Sequence, residues 1–168
     1  GTLAAGPAAA DSATIFPVRD NTLIESDASA SCANGPLFSG ETSFAGSRRI
    51  VIAFDVAASL PADSTIQSAE LRMNALRAGI SAAPSDIYGL HRLLQNWGES
   101  SSACSGGSGG LAGAGDATWS HSFYPTTPWI AAGGDFNALA SGSAATPTSA
   151  AAAWTSSPAM VSDVQSWL

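Results

Sequence analysis

The stretch "RRIVIAFDV", residues 48–56, carries the clearest β-strand pattern in this 168-residue chain. A strand places successive side chains on opposite faces of a sheet, so alternate residues share a face. One face here holds Ile50, Ile52, Phe54 and Val56, and the other holds Arg49, Val51, Ala53 and Asp55. Because the first set is wholly apolar, we expect it to face the core and Phe54 to be buried.

Short strands are also predicted on both sides of this stretch. "TIQSAELRMNAL" (65–76) and "SDIYGLHRLL" (85–94) alternate in the same way, and "ATIFPV" (13–18) and "TLIE" (22–25) are short apolar runs. Pro17 restricts the first run to a sheet edge or a kink, since proline has no N–H to donate. Proline and glycine punctuate the segments at strand-length intervals, which is typical of an antiparallel β-sandwich. We therefore expect one all-β domain over residues 13–168, after a flexible Ala/Gly/Pro leader at 1–12.

The segment "SSPAMVSDVQSWL", residues 156–168, predicts a short C-terminal helix. Ser157 can cap free backbone N–H groups, and Pro158 suits the first helical position. Met160, Val164 and Trp167 then recur at helical spacing and form an apolar stripe. The stripe indicates that the helix docks on the core.

Composition excludes several classes of partner. The chain is 45% hydrophobic but only 11% charged, has a net charge of −7, and takes all six of its basic residues as arginine. Its acidity opposes binding to nucleic acids and to anionic membranes. No stretch approaches the roughly 18 apolar residues of a membrane span. The acidity indicates either solubility in an extracellular setting or carboxylates gathered for calcium; we expect no other cofactor and no metal ligand set.

Two cysteines lie in polar loop sequence, Cys32 in "SASCANG" and Cys104 in "SSACSGG". In a chain with the composition of an exported protein, one disulfide is favoured over two free thiols. The loop that it would close makes it worth roughly 4 kcal/mol on the chain-entropy model. Secretion to the exterior or the cell surface is the expected localisation.

Catalytic signatures are missing from the sequence. The only histidines are His91 and His121, and the proximity of Asp116, Ser120 and His121 along one strand would not converge their side chains. Carboxylates such as Glu25, Glu70 and Glu99 could meet across sheets, but nothing selects a pair. We therefore predict that the protein is not an enzyme.

Aromatic residues are the remaining candidates for ligand binding, because tryptophan faces stack on sugar rings. Most of the tryptophans are expected to fill the core, but Trp129 in the loop-like "TTPWIAAGG" (126–134) is the exception. Together with Arg49, Arg72 and Arg92, it forms the candidate set for contact with an acidic polysaccharide. A net charge of −7 opposes such a ligand unless the arginines form one local patch.

Five blocks in order carry a family resemblance: "DNTLIE" (20–25), "RRIVIAFDVAASLPADSTIQSAELRM" (48–73), "LHRLLQNWGES" (90–100), "GDATWSHSFYPTTPWIAAGGDF" (115–136) and "MVSDVQSWL" (160–168). They resemble the DNRLRE domains, secreted bacterial modules related to an alginate-binding carbohydrate-binding family. The resemblance implies a jelly-roll-like β-sandwich, export and a non-catalytic role. The cysteine pair is not part of the family pattern.

Similar family members continue beyond the segment that matches "QSWL" into closing β-strands, which this sequence lacks. We expect that the chain is part of a longer polypeptide, that it forms a smaller self-sufficient sandwich, or that a strand from another subunit completes it, as in donor-strand complementation. The leader at 1–12 and the run "ATIFPV" are the segments that could be donated.

Two functions follow as hypotheses. The first is a non-catalytic extracellular structural module that packs with its own copies or with other cell-surface proteins into a surface or filamentous assembly, with strand exchange between subunits. The alternative is a carbohydrate-binding module for an acidic polysaccharide.

Overall fold

The computed structural model describes residues 11–42, 46–78, 86–104, 106–145 and 150–168, which form eleven short strands and two helices. The elements in chain order are β1 (Arg19–Ile24), β2 (Ala30–Ser31), β3 (Gly40–Glu41), β4 (Ser47–Ala53), α1 (Val56–Ser59), β5 (Leu71–Ala75), β6 (Ile87–Leu90), β7 (Gly110–Leu111), β8 (His121–Phe123), β9 (Thr127–Pro128), β10 (Gly142–Ala145), β11 (Ala150–Trp154) and α2 (Pro158–Ser166). Within these ranges, no helix is both long and apolar enough to cross a membrane.

The strands form antiparallel sheets. The largest has the order β1-β4-β3, and the others are the pairs β2-β7, β5-β11, β6-β10 and β8-β9. In the largest sheet Asn21 lies opposite Val51 and Leu23 lies opposite Arg49. The predicted all-β class with a short C-terminal helix is confirmed, and the jelly-roll topology stays a prediction.

Residues 19–42, 46–56, 95–104 and 106–136 form what we call the disulfide-linked part. Its core is the apolar cluster of Leu23, Val51, Trp97, Ala117 and Trp129. The predicted bond between Cys32 and Cys104 is present, with a Cα–Cα distance of 5.3 Å. It joins the chain after β2 to the glycine- and serine-rich segment that leads into β7. A segment whose composition cannot build a core is thereby attached to one.

The core-facing side of β4 is not the one that its alternation predicted. Val51 is buried in the apolar cluster, whereas Ile50, Ile52 and Phe54 are only partly buried. Both faces of β4 are rich in apolar residues, so the period of two could not tell them apart. Arg49 shares the core-facing side with Val51 because its guanidinium stacks on an aromatic ring, as described below.

The strands β5, β6, β10 and β11 together with α2 form what we call the alanine-rich part. Here the predicted faces of β5 are confirmed, since Leu71 and Met73 are partly buried while Arg72 and Asn74 are exposed. The indole Nε1 of Trp154 donates to the Tyr88 carbonyl oxygen at 3.0 Å and ties β11 to β6.

The C-terminal helix is confirmed, and its first turn packs beside the start of β10. The hydroxyl of Ser157 accepts a hydrogen bond from Met160 N at 3.0 Å, which is the expected N-cap contact. Met160 is buried in the first turn of the helix, and Trp167 is the C-cap residue at its other end. Of the predicted apolar stripe, only Met160 is buried, while Val164 is partly buried and Trp167 is exposed. The helix is therefore anchored mainly at its first turn.

Other sequence predictions need correction. Residues 13–18 form no strand; β1 begins after Pro17, and Val18 N donates to the Ala53 carbonyl oxygen at 2.8 Å. The helix α1 was not predicted, although Asp55 caps it by accepting from Ala58 N. The strand predicted over 85–94 is limited to β6, and residue 85 lies outside the described residues, as do residues 1–10 of the predicted leader.

Candidate functional site

The most distinctive surface feature is built on the loop after β9. Trp129 is 5% exposed, and its indole Nε1 donates to the Thr118 carbonyl oxygen at 2.9 Å. The next residue, Ile130, is 94% exposed. The loop therefore turns one large side chain into the core and the following one into solvent.

Asp135 fixes the shape of this loop. Its two carboxylate oxygens accept from Ile130 N and Ala131 N, each at 2.8 Å, and its carbonyl oxygen accepts from Leu94 N at 2.8 Å. Leu93 and Phe136 form an isolated β-bridge beside it. These contacts hold the loop against the chain that follows β6.

Arg49 of β4 also contacts this loop. It donates from Nη1 to the Gly133 carbonyl oxygen at 2.8 Å, and its guanidinium lies 4.8 Å from the Trp119 ring centroid and 5.1 Å from that of Phe136. Gly133 has φ +88°, and a Cβ there would lie 2.5 Å from Arg49 Nη1. A glycine is therefore required where the arginine meets the loop.

An open groove results, which we call the apolar groove. Its lining residues are Leu94, Gln95, Ile130, Ala131, Gly134, Asp135 and Phe136. Most of the lining residues are aliphatic or aromatic. The Gln95 amide nitrogen donates to Ser122 Oγ at 2.9 Å, and the Asp135 carboxylate accepts from backbone N–H groups of the loop. Such a surface suits an apolar side chain better than a ligand that needs several hydrogen bonds.

The predicted sugar-contacting residues do not come together. The prediction that Trp129 is an exposed platform for a sugar is wrong. Its ring is buried, and its indole N–H donates to a carbonyl oxygen within the protein. Arg49 is held between two aromatic rings. Arg72 is exposed and pairs with Glu70 at 2.6 Å, and this hydrogen bond holds the pKa of Glu70 below its ordinary value. Arg92 lies 3.5 Å from Asp163.

The groups considered for catalysis have separate structural roles. The carboxylate of Asp116 is fully buried and accepts from the backbone N–H groups of Ser100, Ser102 and Gly113 at 2.6–3.0 Å, so its oxygens serve the loop and not His121. Glu99 accepts from Asp20 N at 2.9 Å, and burial raises the pKa of Asp20.

A calcium site would need several oxygen ligands in one place. Among the described residues, no group of three or more His, Cys, Asp or Glu side chains is placed to hold a metal ion.

The sequence pointed to Trp129 in this loop, but the exposed apolar residue of the loop is Ile130. Ile130, Leu94 and Phe136 carry the apolar groove, and none was singled out as a surface residue. The signal for Ile130 was its isolation between Trp129 and a run of alanine and glycine, which offers an aliphatic side chain no local packing partner. No family model, curated protein or solved structure matches the chain.

Proposed function

We propose that the protein is a non-catalytic structural module of the cell exterior that packs against further copies of itself. The observation that carries this proposal is the apolar groove, in which Leu94, Ile130 and Phe136 lie on a surface fixed by Arg49 and Asp135. Grouped exposed apolar side chains are typical of protein–protein contact surfaces. The one charged side chain that lines the groove is Asp135, and its carboxylate is hydrogen-bonded to backbone N–H groups of the loop.

Export is part of the proposal. The disulfide suits an oxidising compartment, and the resemblance to secreted DNRLRE domains supports a bacterial surface location. The same resemblance supports a jelly-roll topology and a non-catalytic role. Other cell-surface proteins could occupy the same groove, but copies of this chain are the simplest partners because every copy carries the groove.

The carbohydrate-binding alternative has less support. It would use a stacking platform and an arginine patch, yet Trp129 is buried and the side chains of Arg49 and Arg92 are engaged within the protein. Arg72 keeps an exposed guanidinium beside Glu70. One exposed ion pair is a weak basis for recognising a polyanion.

Sedimentation velocity over a wide concentration range tests the proposal. We expect the native chain to associate as its concentration rises, and Ile130→Asp to weaken the association at least tenfold. Leu111→Asp is the matched control, since Leu111 is also strongly exposed but lies outside the apolar groove. A chain that stays monomeric while it binds uronate oligomers saturably in calorimetry would favour the alternative.

A further inference from the structure

A free strand edge lies in the largest sheet. The Glu25 N to Ser47 carbonyl bond shows that Ser47 faces β1, and in an antiparallel ladder alternate residues bond to opposite neighbours. Ile50 and Ile52 therefore direct their backbone groups to the other edge of β4. On that edge β3 pairs only with Ser47 and Arg48. Ile50 and Ile52 lie opposite β1 on one side, and no strand of the described chain pairs with them on the other.

The segment 11–17 is the complementary feature. It has no regular secondary structure, and within the described chain none of its backbone groups takes part in a hydrogen bond. Phe16 is 77% exposed although it is one of only six phenylalanines. A segment that presents free backbone groups and a large apolar side chain is suited to adding a strand to a sheet edge.

We propose that segment 11–17 of one copy adds as a strand to the free edge of β4 in a second copy. This inference rests on the proposed function and names a second contact between the copies, besides the apolar groove. In an antiparallel pairing, Thr14 and Phe16 would bond to the edge while Ile15 and Pro17 point away. Pro17 has no N–H to donate, but none is needed in this pairing, because its backbone nitrogen lies on the side of the added strand that faces away from β4.

The side chains fit the same arrangement. Residues directly opposite in an antiparallel pair share a face, so Phe16 would lie on the face of Ile50 and Ile52, which are only partly buried. An aromatic ring beside a β-branched side chain is a favourable cross-strand pair. The added strand would therefore cover apolar surface that the chain leaves open.

The contact forms between copies and not within one. Segment 11–17 enters β1 at Arg19, and β1 lies on the opposite side of β4 from the free edge. To reach that edge in its own copy, the segment would have to cross the chain that leaves β4 at Phe54. Donor and acceptor are different surfaces, so the contact repeats head to tail and builds a linear assembly unless it closes into a ring.

The test uses the full chain and two substitutions of equal charge in the same segment. Phe16→Asp alters an exposed residue and leaves the monomer folded. An unchanged melting temperature, measured at concentrations where the native chain is monomeric, would verify this. We expect it to weaken self-association at least tenfold in sedimentation velocity, whereas Ser12→Asp associates as the native chain does. Hydrogen–deuterium exchange should show the amides of Ile50 and Ile52 gaining protection as the native chain associates.

The strand-addition inference and the proposed function would fail on different results. If the native chain associates but Phe16→Asp associates equally well, or if Ile50 and Ile52 gain no protection, the strand-addition inference is wrong and the structural function stands. If the native chain stays monomeric at every concentration, both fail.

Discussion

The disulfide-linked part and the alanine-rich part are built from the same kind of short antiparallel strands, yet they close their interiors differently. The first buries Leu23, Trp97 and Trp129 and adds a disulfide. Of the buried apolar residues in the described chain, only Ala152 and Met160 belong to the second. Alanine contributes little apolar area on burial, so strand pairing alone does not close a core. The alanine-rich part therefore buries fewer apolar side chains than the disulfide-linked part does.

Two tryptophans give the largest expected contrast. Trp129→Ala should destabilise the protein by about 3–5 kcal/mol, because it removes a buried ring and leaves the Thr118 carbonyl without its donor. Trp167→Ala should cost less than about 1 kcal/mol, since Trp167 is 40% exposed at the end of α2. Denaturant midpoints of the two variants measure the difference. Equal midpoints would contradict the contrast between the two parts.

Reduction of the Cys32–Cys104 bond should cost about 4 kcal/mol on the chain-entropy model, since the bond spans 72 residues. The loss should be local in the first instance. Hydrogen–deuterium exchange under mild reducing conditions should quicken in β2 and β7 and stay slow in the pair β5-β11. Uniform quickening would show that the two parts unfold as one unit.

Asp116→Asn tests whether the glycine- and serine-rich segment depends on one buried carboxylate. Replacing an oxygen that accepts backbone N–H bonds with an amide NH₂ should cost about 2 kcal/mol. Asp63→Asn, at an exposed position, is the matched control and should be nearly neutral. An unchanged denaturant midpoint for Asp116→Asn would show that the carboxylate does not stabilise this segment.

Acidification should produce the smallest effect. A hydrogen bond from Ser47 N holds the pKa of Glu25 below its ordinary value, so the stabilisation is present above the unfolded pKa and is lost as pH falls through the lowered folded value. Asp20 acts in the opposite sense, because burial raises its pKa. Glu25→Gln should flatten the acid side of a plot of melting temperature against pH. A plot that Glu25→Gln leaves unchanged would contradict the assignment.

Local patterns made part of this molecule predictable. The position of β4, the faces of β5, the cap at Ser157 and the disulfide all depend on residues close in sequence or on compartment chemistry. The side of β4 that faces the core depends on where distant aromatics pack, and both its faces are apolar. Burial of Trp129 and exposure of Ile130 depend on Asp135 and Arg49, which meet the loop only in the folded chain.

The proposal that copies of this chain pack against one another can be tested most directly by comparing hydrogen–deuterium exchange of the native chain at low and at high concentration. We predict that protection rises with concentration at the free edge of β4 and around the apolar groove, while the buried strand β1 is already protected and changes little. Identical exchange at both concentrations, in a chain that sediments as a monomer, would contradict the proposal that neighbouring copies cover these surfaces.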